Sequence, residues 1–243
     1  MTTYIQYSKR VLAIDPGTKN AGLAVVQLDA QIELGSDDGP PFTLDSCNWS
    51  IVHAGMLQNP INDMKRLSSQ SAAFYRELSE LMIRHRPAGF AAERFQTRGN
   101  GGATIECISA MLGVMGVMPT STFATTRGLK LVPEVQPGRG FNAPALEEQV
   151  EFTPLITPTA ATWKNAFNRS FDLEAIYAQT STRKDSTLTP HTADAILIAA
   201  YALRTAVLHK FNLTVPQIGP KRFAKLIRKY HHDHPTEKGV ATA

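Results

Sequence analysis

The stretch VLAIDPGTKNAGLAVVQL, residues 11 to 28, constrains the fold more than any other part of the chain. Val11 to Ile14 is a short apolar run of the kind that sits in the middle of a sheet, and Ala21 to Leu28 is a second. Pro16, Gly17, Asn20 and Gly22 fall between them and supply turn chemistry, so the two runs form a hairpin. Asp15 ends the first strand at the mouth of that hairpin. A carboxylate there either caps the turn with its own side chain or does chemistry at the sheet edge, and this stretch alone leaves both readings open.

Further strands and helices build on the hairpin. Residues 30 to 47 are acidic and turn-rich, and NWSIVHAGM then reads as a third strand, which makes the first unit a three-stranded antiparallel meander. Asn59 followed by Pro60 is a helix start signal; Met64, Leu67, Phe74, Leu78, Leu81 and Met82 recur at helical spacing until Arg86 and Pro87 stop the run. Gly89 to Ala92 is a short apolar strand that again ends on a carboxylate, Glu93. The Gly-rich RGNGG leads into an apolar helix from about Ala103 to Val117. Residues 119 to 160 are proline-rich and irregular, with VEFTPLI as the better strand candidate, and Pro158 opens a helix carrying Trp163, Lys164 and Phe167. A helix from about Phe171 to Gln179 and the polar loop TSTRKDSTLTP follow. HTADAILIAAYALRTAVLH is then a strong helix with His191 and Asp194 in its first turn.

Composition excludes several classes. A chain of 243 residues with 43% hydrophobic and 19% charged residues has the make-up of a globular protein with a sizeable core. No apolar run reaches the roughly 18 to 20 residues of a membrane span, and MTTYIQYSKR lacks the apolar core of a secretory signal, so a cytoplasmic protein is expected. Cys47 and Cys107 have no CxxC spacing, which argues against a disulfide framework or a zinc site. The net charge of +4 leans toward an anionic partner. Much of it is concentrated in seven Lys or Arg residues between Lys210 and Lys238, where KRFAKLIRKYHHDH reads as a basic helix before a polar end. Its Lys221, Arg222 and Lys225 are either phosphate contacts or a solvated face. His231, His232 and His234 are read as solvent-exposed.

Three acidic positions belong together. Asp15 and Glu93 each end a strand, and Asp194 stands three residues after His191, so those two share one face of a helix start. Clustered carboxylates raise one another's pKa unless a cation joins them, and a divalent metal site is the economical explanation. The alternatives are that Glu93 pairs with Arg94 or Arg98 and that Asp194 complements the helix dipole.

With these residues in order, the chain resembles the RuvC-like Holliday junction resolvases of the RNase H superfamily. IDPGTKNAGLAVV, AAERF and HTADAILIAAYAL correspond to the family's three catalytic motifs, in the family's order and element context. The resemblance implies an α/β fold, an RNase H-like mixed sheet of three antiparallel strands followed by parallel strands, flanked by helices. Residues 1 to 209 would form the nuclease domain with an irregular insertion at about 120 to 151, and 210 to 243 a basic extension. It implies that Asp15, Glu93, Asp194 and His191 are metal ligands and that Lys164 is a basic catalytic residue near the scissile phosphate. Phe95 lies two residues after Glu93, whereas the family's junction wedge lies three after.

The implied activity is paired hydrolysis of four-way DNA junctions, leaving 5'-phosphate and 3'-hydroxyl ends. The implied cofactor is Mg²⁺, with Mn²⁺ accepted, as two ions about 3.5 to 4 Å apart supporting an in-line displacement. Lys19 and Arg98 are candidate contacts to flanking phosphates or plain surface charges. Two symmetric cuts suit a homodimer. Ile105, Ile108, Met111, Leu112 and Met115 form one stripe of their helix, with Cys107, Val114 and Val117 on the other side, so the second face is either a partner surface or core. The competing classes are a YqgF-like nuclease acting on RNA, a non-catalytic branched-DNA-binding protein, and an actin-like or sugar-kinase phosphotransferase, which needs a second nucleotide-binding hairpin that this chain lacks.

Overall fold

The computed structural model describes residues 4–34, 42–94, 101–126, 153–166, 189–211 and 220–233. Five strands form one sheet in the order β3-β2-β1-β4-β5. β1 (Tyr4–Asp15), β2 (Gly22–Leu34) and β3 (Phe42–Met56) make the antiparallel meander. β4 (Gly89–Ala92) and β5 (Thr153–Ile156) are parallel to β1. The helices are α1 (Leu67–His85), α2 (Gly102–Thr126), α3 (Ala160–Ala166), α4 (Pro190–Phe211) and α5 (Pro220–Asp233). This is the RNase H-like α/β architecture, a mixed sheet with helices on both faces.

Strand parity divides the core in two. Val11, Ala13, Ala24, Val26, Leu28 and Ala91 face one side and pack with α4, Trp163 and Ile227 of α5. Leu12, Ile14, Leu23, Val25, Phe90 and Ala92 face the other and pack with Phe74, Leu78 and Leu81 of α1 and Ile108, Met111 and Met115 of α2. Alternate residues of a strand point to opposite faces, so each strand serves both cores. α4 is buried at every position from Ala195 to Ala200, as expected for an Ala-rich helix lying close against a sheet. Truncating Ile196 there would cost about 2 to 5 kcal/mol.

The meander is longer than its apolar runs indicate. β2 continues to Leu34, with Leu28, Ala30 and Ile32 buried between more open Gln27, Asp29, Gln31 and Glu33. That alternation is a half-buried strand, whereas the acidic residues read one by one suggested turns. Two register shifts in the β2–β3 ladder, at Val25/Val26 and Gln31/Ile32, bend the ribbon.

Other element ends also move. Asn59 and Pro60 do not start a helix: the backbone N–H groups of Gln58 and Asn59 donate to the Glu77 carboxylate at 2.8 Å each, and those of Asn62 and Asp63 donate to Gln70 Oε1. The segment is thereby laid along α1. A single 3-10 turn at Met64–Arg66, capped by Asp63 accepting from the Lys65 N–H, leads into α1 proper. α1 ends where Arg86 adopts the left-handed conformation, φ 48°, and Pro87 follows. α2 continues past Pro119 to Thr126, so it takes in the start of the segment expected to be an insertion. The expected helix at 171–179, Phe167, and most of the TSTRKDSTLTP loop lie outside the described residues. Among the described residues, no helix is long and apolar enough to cross a membrane.

Candidate active site

The parity that divides the core also aims the acids. Asp15 is two residues beyond Ala13, and Glu93 two beyond Ala91, so both follow residues on the α4 side of adjacent parallel strands. The Glu93 N–H donates to the Ile14 carbonyl at 3.3 Å, which carries the β1–β4 pairing one step past the strand end. Asp15 is only 9% exposed.

α4 brings the remaining groups. Thr189 caps it, its hydroxyl accepting from the Thr192 N–H and its carbonyl from the Ala193 N–H. The fully buried Thr192 hydroxyl donates to the Gly55 carbonyl at 3.1 Å, fixing the helix start to β3. Gly22, at the start of β2, meets α4 so closely that a Cβ there would lie 2.0 Å from the His191 carbonyl oxygen. Only a residue without a side chain permits that approach. Gly17 plays the corresponding role inside the turn, where a Cβ would lie 2.2 Å from the Asn20 carbonyl.

Held this way, His191 Nδ1 lies 2.8 Å from Asp15 Oδ2. The hydrogen bond to Asp15 raises the His191 pKa above its ordinary value; burial works against the shift, and the Asp15 and Asp194 charges add to it. Asp194, one turn on, has Oδ2 4.0 Å from Lys164 Nζ. Lys164 is 41% exposed and its ammonium sits 4.9 Å from the centroid of the Trp163 ring. Trp163 itself is fully buried and donates its indole N–H to Glu93 Oε2 at 2.8 Å. The Glu93 carboxyl is pushed up by burial, held back by the Trp163 hydrogen bond, pushed up by Asp15, held back by Lys164 and pushed up by Asp194.

Asp15, Glu93, His191, Asp194 and Lys164 therefore lie near one another at the carboxyl end of the interior strands β1 and β4. The donor set, carboxylate oxygens and one imidazole, suits a divalent cation, and the mutual repulsion felt by Glu93 is what such a cation relieves. Among the described residues no three His, Cys, Asp or Glu side chains converge closely enough to hold an ion. One Asp15 oxygen is engaged by His191 and one Glu93 oxygen by Trp163, which leaves the second oxygen of each carboxylate for a cation. The alternative pairing of Glu93 with Arg94 is not what the structure contains: Arg94 is exposed, and its backbone N–H donates to the Pro158 carbonyl.

The other expected residues are more dispersed. Lys19 is exposed in the hairpin turn, and Lys225 is exposed on α5, whose first turn includes Lys221 and Arg222. Phe95 and Arg98 lie outside the described residues. α5 is not a loose tail, because Ile227 is buried and Leu226 half-buried against the α4-side core. Trp163 was not singled out as a site residue from the sequence; its one signal is adjacency to Lys164, and a Trp in an amphipathic helix reads as core.

No protein-family model matches the chain, and no curated protein matches its sequence significantly. Among solved structures, it is similar to Thermus thermophilus RuvC in complex with a Holliday junction substrate, at 17% identity and a TM-score of 0.46, over 81% of this chain and 96% of that one. A second Thermus thermophilus RuvC structure gives the same values. The yeast mitochondrial Holliday junction resolvase Ydc2 is similar at 12% identity and a TM-score of 0.41, over 93% of this chain and 82% of that one.

Proposed function

We propose that this chain is a structure-selective endonuclease that cuts four-way DNA junctions by metal-dependent phosphodiester hydrolysis, leaving 5'-phosphate and 3'-hydroxyl ends. The observation that carries the reading is the meeting of Asp15, Glu93 and Asp194, with His191 and Lys164, from four separate elements at the carboxyl end of the interior strands β1 and β4. Together with the three sequence motifs, this is the set of groups such chemistry requires.

In this reading Asp15, Glu93, Asp194 and His191 would hold two Mg²⁺ ions, with Mn²⁺ accepted. Bound cations supply Lewis acidity at the phosphate and charge stabilisation at the attacking and leaving oxygens. The chain's own residues do the rest. Lys164, half-exposed beside Asp194, would meet an anionic oxygen of the scissile phosphate. His191, hydrogen-bonded to Asp15 through Nδ1, would have to be unprotonated at whichever nitrogen met a cation.

Affinity comes from elsewhere on the surface. Lys19, Arg98 and the α5 residues Lys221, Arg222 and Lys225 are the proposed phosphate contacts, and Phe95 a proposed DNA contact. A homodimer would place two sites on a two-fold symmetric junction. Its contact is the outer face of α2, where Val117 is 63% exposed, Leu112 and Val114 are half-buried, and the positions of Gly113 and Gly116 are open.

Incubating the protein with labelled four-way junction, linear duplex and RNA–DNA hybrid, with Mg²⁺ or with EDTA, tests the proposal. Junction cleavage with Mg²⁺ alone is expected. Cleavage of the hybrid but not the junction would make it a nuclease acting on RNA. Junction binding without cleavage under any divalent ion would make it a binding protein.

A further inference from the structure

Helix α3 has only seven residues, yet it touches both halves of the candidate site. At its start, the Arg94 N–H donates to the Pro158 carbonyl at 2.7 Å, and Arg94 bridges Thr159 in parallel, so the chain directly after Glu93 is zipped to the chain directly before α3. Thr159 caps the helix through the Thr162 N–H. At its end, the Ala166 carbonyl accepts from Arg204 Nη1 of α4 at 2.9 Å. Between these two pins, consecutive side chains reach in different directions: Trp163 to Glu93 at 2.8 Å, Lys164 to within 4.0 Å of Asp194.

We propose that α3 is a brace that sets Glu93 and Asp194 relative to one another, with Trp163 the positioning residue for Glu93. The inference rests on the nuclease reading of the site above. A buried indole has essentially one way to place its N–H, because the ring is fixed by packing on all sides, and Trp163 is fully enclosed beside α4. The carboxylate oxygen that accepts from it is therefore pinned, and the other oxygen is the one left to turn toward a cation. Groups that hydrogen-bond a metal-ligating carboxylate orient it in this way, and their removal costs about 10- to 100-fold in metal affinity or activity. The contrast within the chain is Trp49, whose Nε1 is buried with no hydrogen-bond partner among the described residues. Packing an indole into this core does not by itself supply an acceptor. Trp163 has one because of where Glu93 stands.

The test compares Trp163→Phe with the full-length wild-type protein. Phenylalanine keeps a ring in the core and deletes the N–H. Calorimetric titration with Mg²⁺ in the absence of DNA should show affinity weakened about 10- to 100-fold. Junction cleavage should lose kcat with KM unchanged, since the DNA-binding surface is intact. Wild-type Mg²⁺ affinity and kcat in a folded Trp163→Phe protein would overturn the brace and leave the nuclease reading standing. A wild-type protein that neither binds Mg²⁺ nor cuts junctions would overturn the nuclease reading itself. If the variant melts too early to measure, ¹⁵N-indole NMR of the wild type decides. Of the two tryptophan indole signals, Mg²⁺ should move that of Trp163 and leave that of Trp49 in place, and Glu93→Ala should abolish the response. An indole of Trp163 indifferent to Mg²⁺ overturns the proposal.

Discussion

The two ends of β1 handle charge in opposite ways. Near its start, on the α1 side, Asp29 accepts from the Ser8 hydroxyl at 2.6 Å, and the Gln27 amide NH₂ donates to both Asp29 oxygens at 2.8 and 3.0 Å. Gln27 Oε1 in turn accepts from Arg10 Nε, and Arg10 Nη1 donates to the His85 carbonyl that ends α1. Carboxylate, amide and guanidinium form a continuous chain of hydrogen bonds across two strands and a helix end. At the other end Asp15, Glu93 and Asp194 lie in one another's field, and Glu93 is pushed above its ordinary pKa in part by the other two. A network that satisfies its own charges stabilises the sheet, whereas one that concentrates like charges is held together by the fold for use on something else.

Removing acids breaks this comparison most sharply. Asp15→Asn, Glu93→Gln or Asp194→Asn should each slow junction cleavage by roughly 10³-fold, equivalent to about 4 kcal/mol of transition-state stabilisation, with junction binding kept. The melting temperature of Glu93→Gln should match or exceed that of the wild type, because burial of the charge and repulsion by Asp15 and Asp194 are relieved. Asp29→Asn or Arg10→Ala should do the reverse, leaving the cleavage rate alone and lowering stability by about 1 to 2 kcal/mol through broken, half-buried hydrogen bonds. Single-turnover rates and denaturant melts on the same samples separate the two. A cleavage rate near wild type for one of the three acids would remove it from the site.

Gly22→Ala tests how the working end is held. The clash is with the backbone of His191 and Thr192, which has no flexible end to swing away, so α4 must retreat from β2. A destabilisation of about 1 to 3 kcal/mol is expected, typical of overpacking. Cleavage should fall too, since His191 and Asp194 ride on the part of the helix that moves. Unchanged activity with lowered stability would mean that the helix start tolerates displacement and that the site is less tightly set than this approach implies.

What the sequence disclosed follows the same division. Asp15 and Glu93 were legible because each terminates an apolar run, and strand parity then puts them on one face. His191 and Asp194 were legible because three residues make nearly one helical turn. Local periodicity carries all of that. The Trp163–Glu93 hydrogen bond spans 70 positions and depends on where a seven-residue helix is seated, which no local pattern encodes. The failed helix start at Asn59–Pro60 has the same origin, since its backbone donors are claimed by Glu77 and Gln70 from the far side of a turn. The polar half of the β2–β3 ribbon was missed because acidic residues on an open strand face look like loop residues one at a time.

The basic helix adds a smaller effect, spread over affinity rather than chemistry. Deleting residues 220–243 should weaken binding to branched and linear DNA alike and reduce the slope of log affinity against log salt by about 0.9 for each phosphate that the protein no longer neutralises. Junction selectivity should persist. Because Ile227 docks α5 on the sheet, Ile227→Asp should mimic part of the deletion while the five basic residues from Lys221 to Lys229 remain. An unchanged salt slope after the deletion would reduce α5 to a solvated face.

The smallest effect concerns the two histidines that mark the two ends. His85 closes α1 beside the Arg10 network, stacked on His53 with ring centroids 5.3 Å apart, and its pKa is lowered by burial and by Arg84 and Arg10. His191 stands in the acid cluster, and its pKa is raised chiefly by the hydrogen bond to Asp15. The signs are opposite, and so are the consequences for stability. His191 prefers its proton in the folded state: its contribution is fully present below the unfolded value of 6.5 and is lost as pH rises through the higher folded pKa. His85 prefers to be neutral when folded: its contribution is present above 6.5 and is lost as pH falls through the lower folded pKa. Melting temperatures of wild type, His85→Asn and His191→Asn, taken between about pH 5 and 8 where histidine titrates, resolve the two. The advantage of wild type over His191→Asn should shrink as pH rises, and its advantage over His85→Asn should shrink as pH falls. A cation should then act on one end alone. Mn²⁺, which accepts imidazole more readily than Mg²⁺, should compete with the His191 proton and erase the pH dependence that His191 contributes while leaving that of His85 untouched. Cleavage should be faster with Mn²⁺ than with Mg²⁺ at equal concentration, and His191→Asp should reduce that preference. If Mn²⁺ shifts both histidines equally or neither, His191 is not a ligand, and the site must be built from Asp15, Glu93 and Asp194 alone.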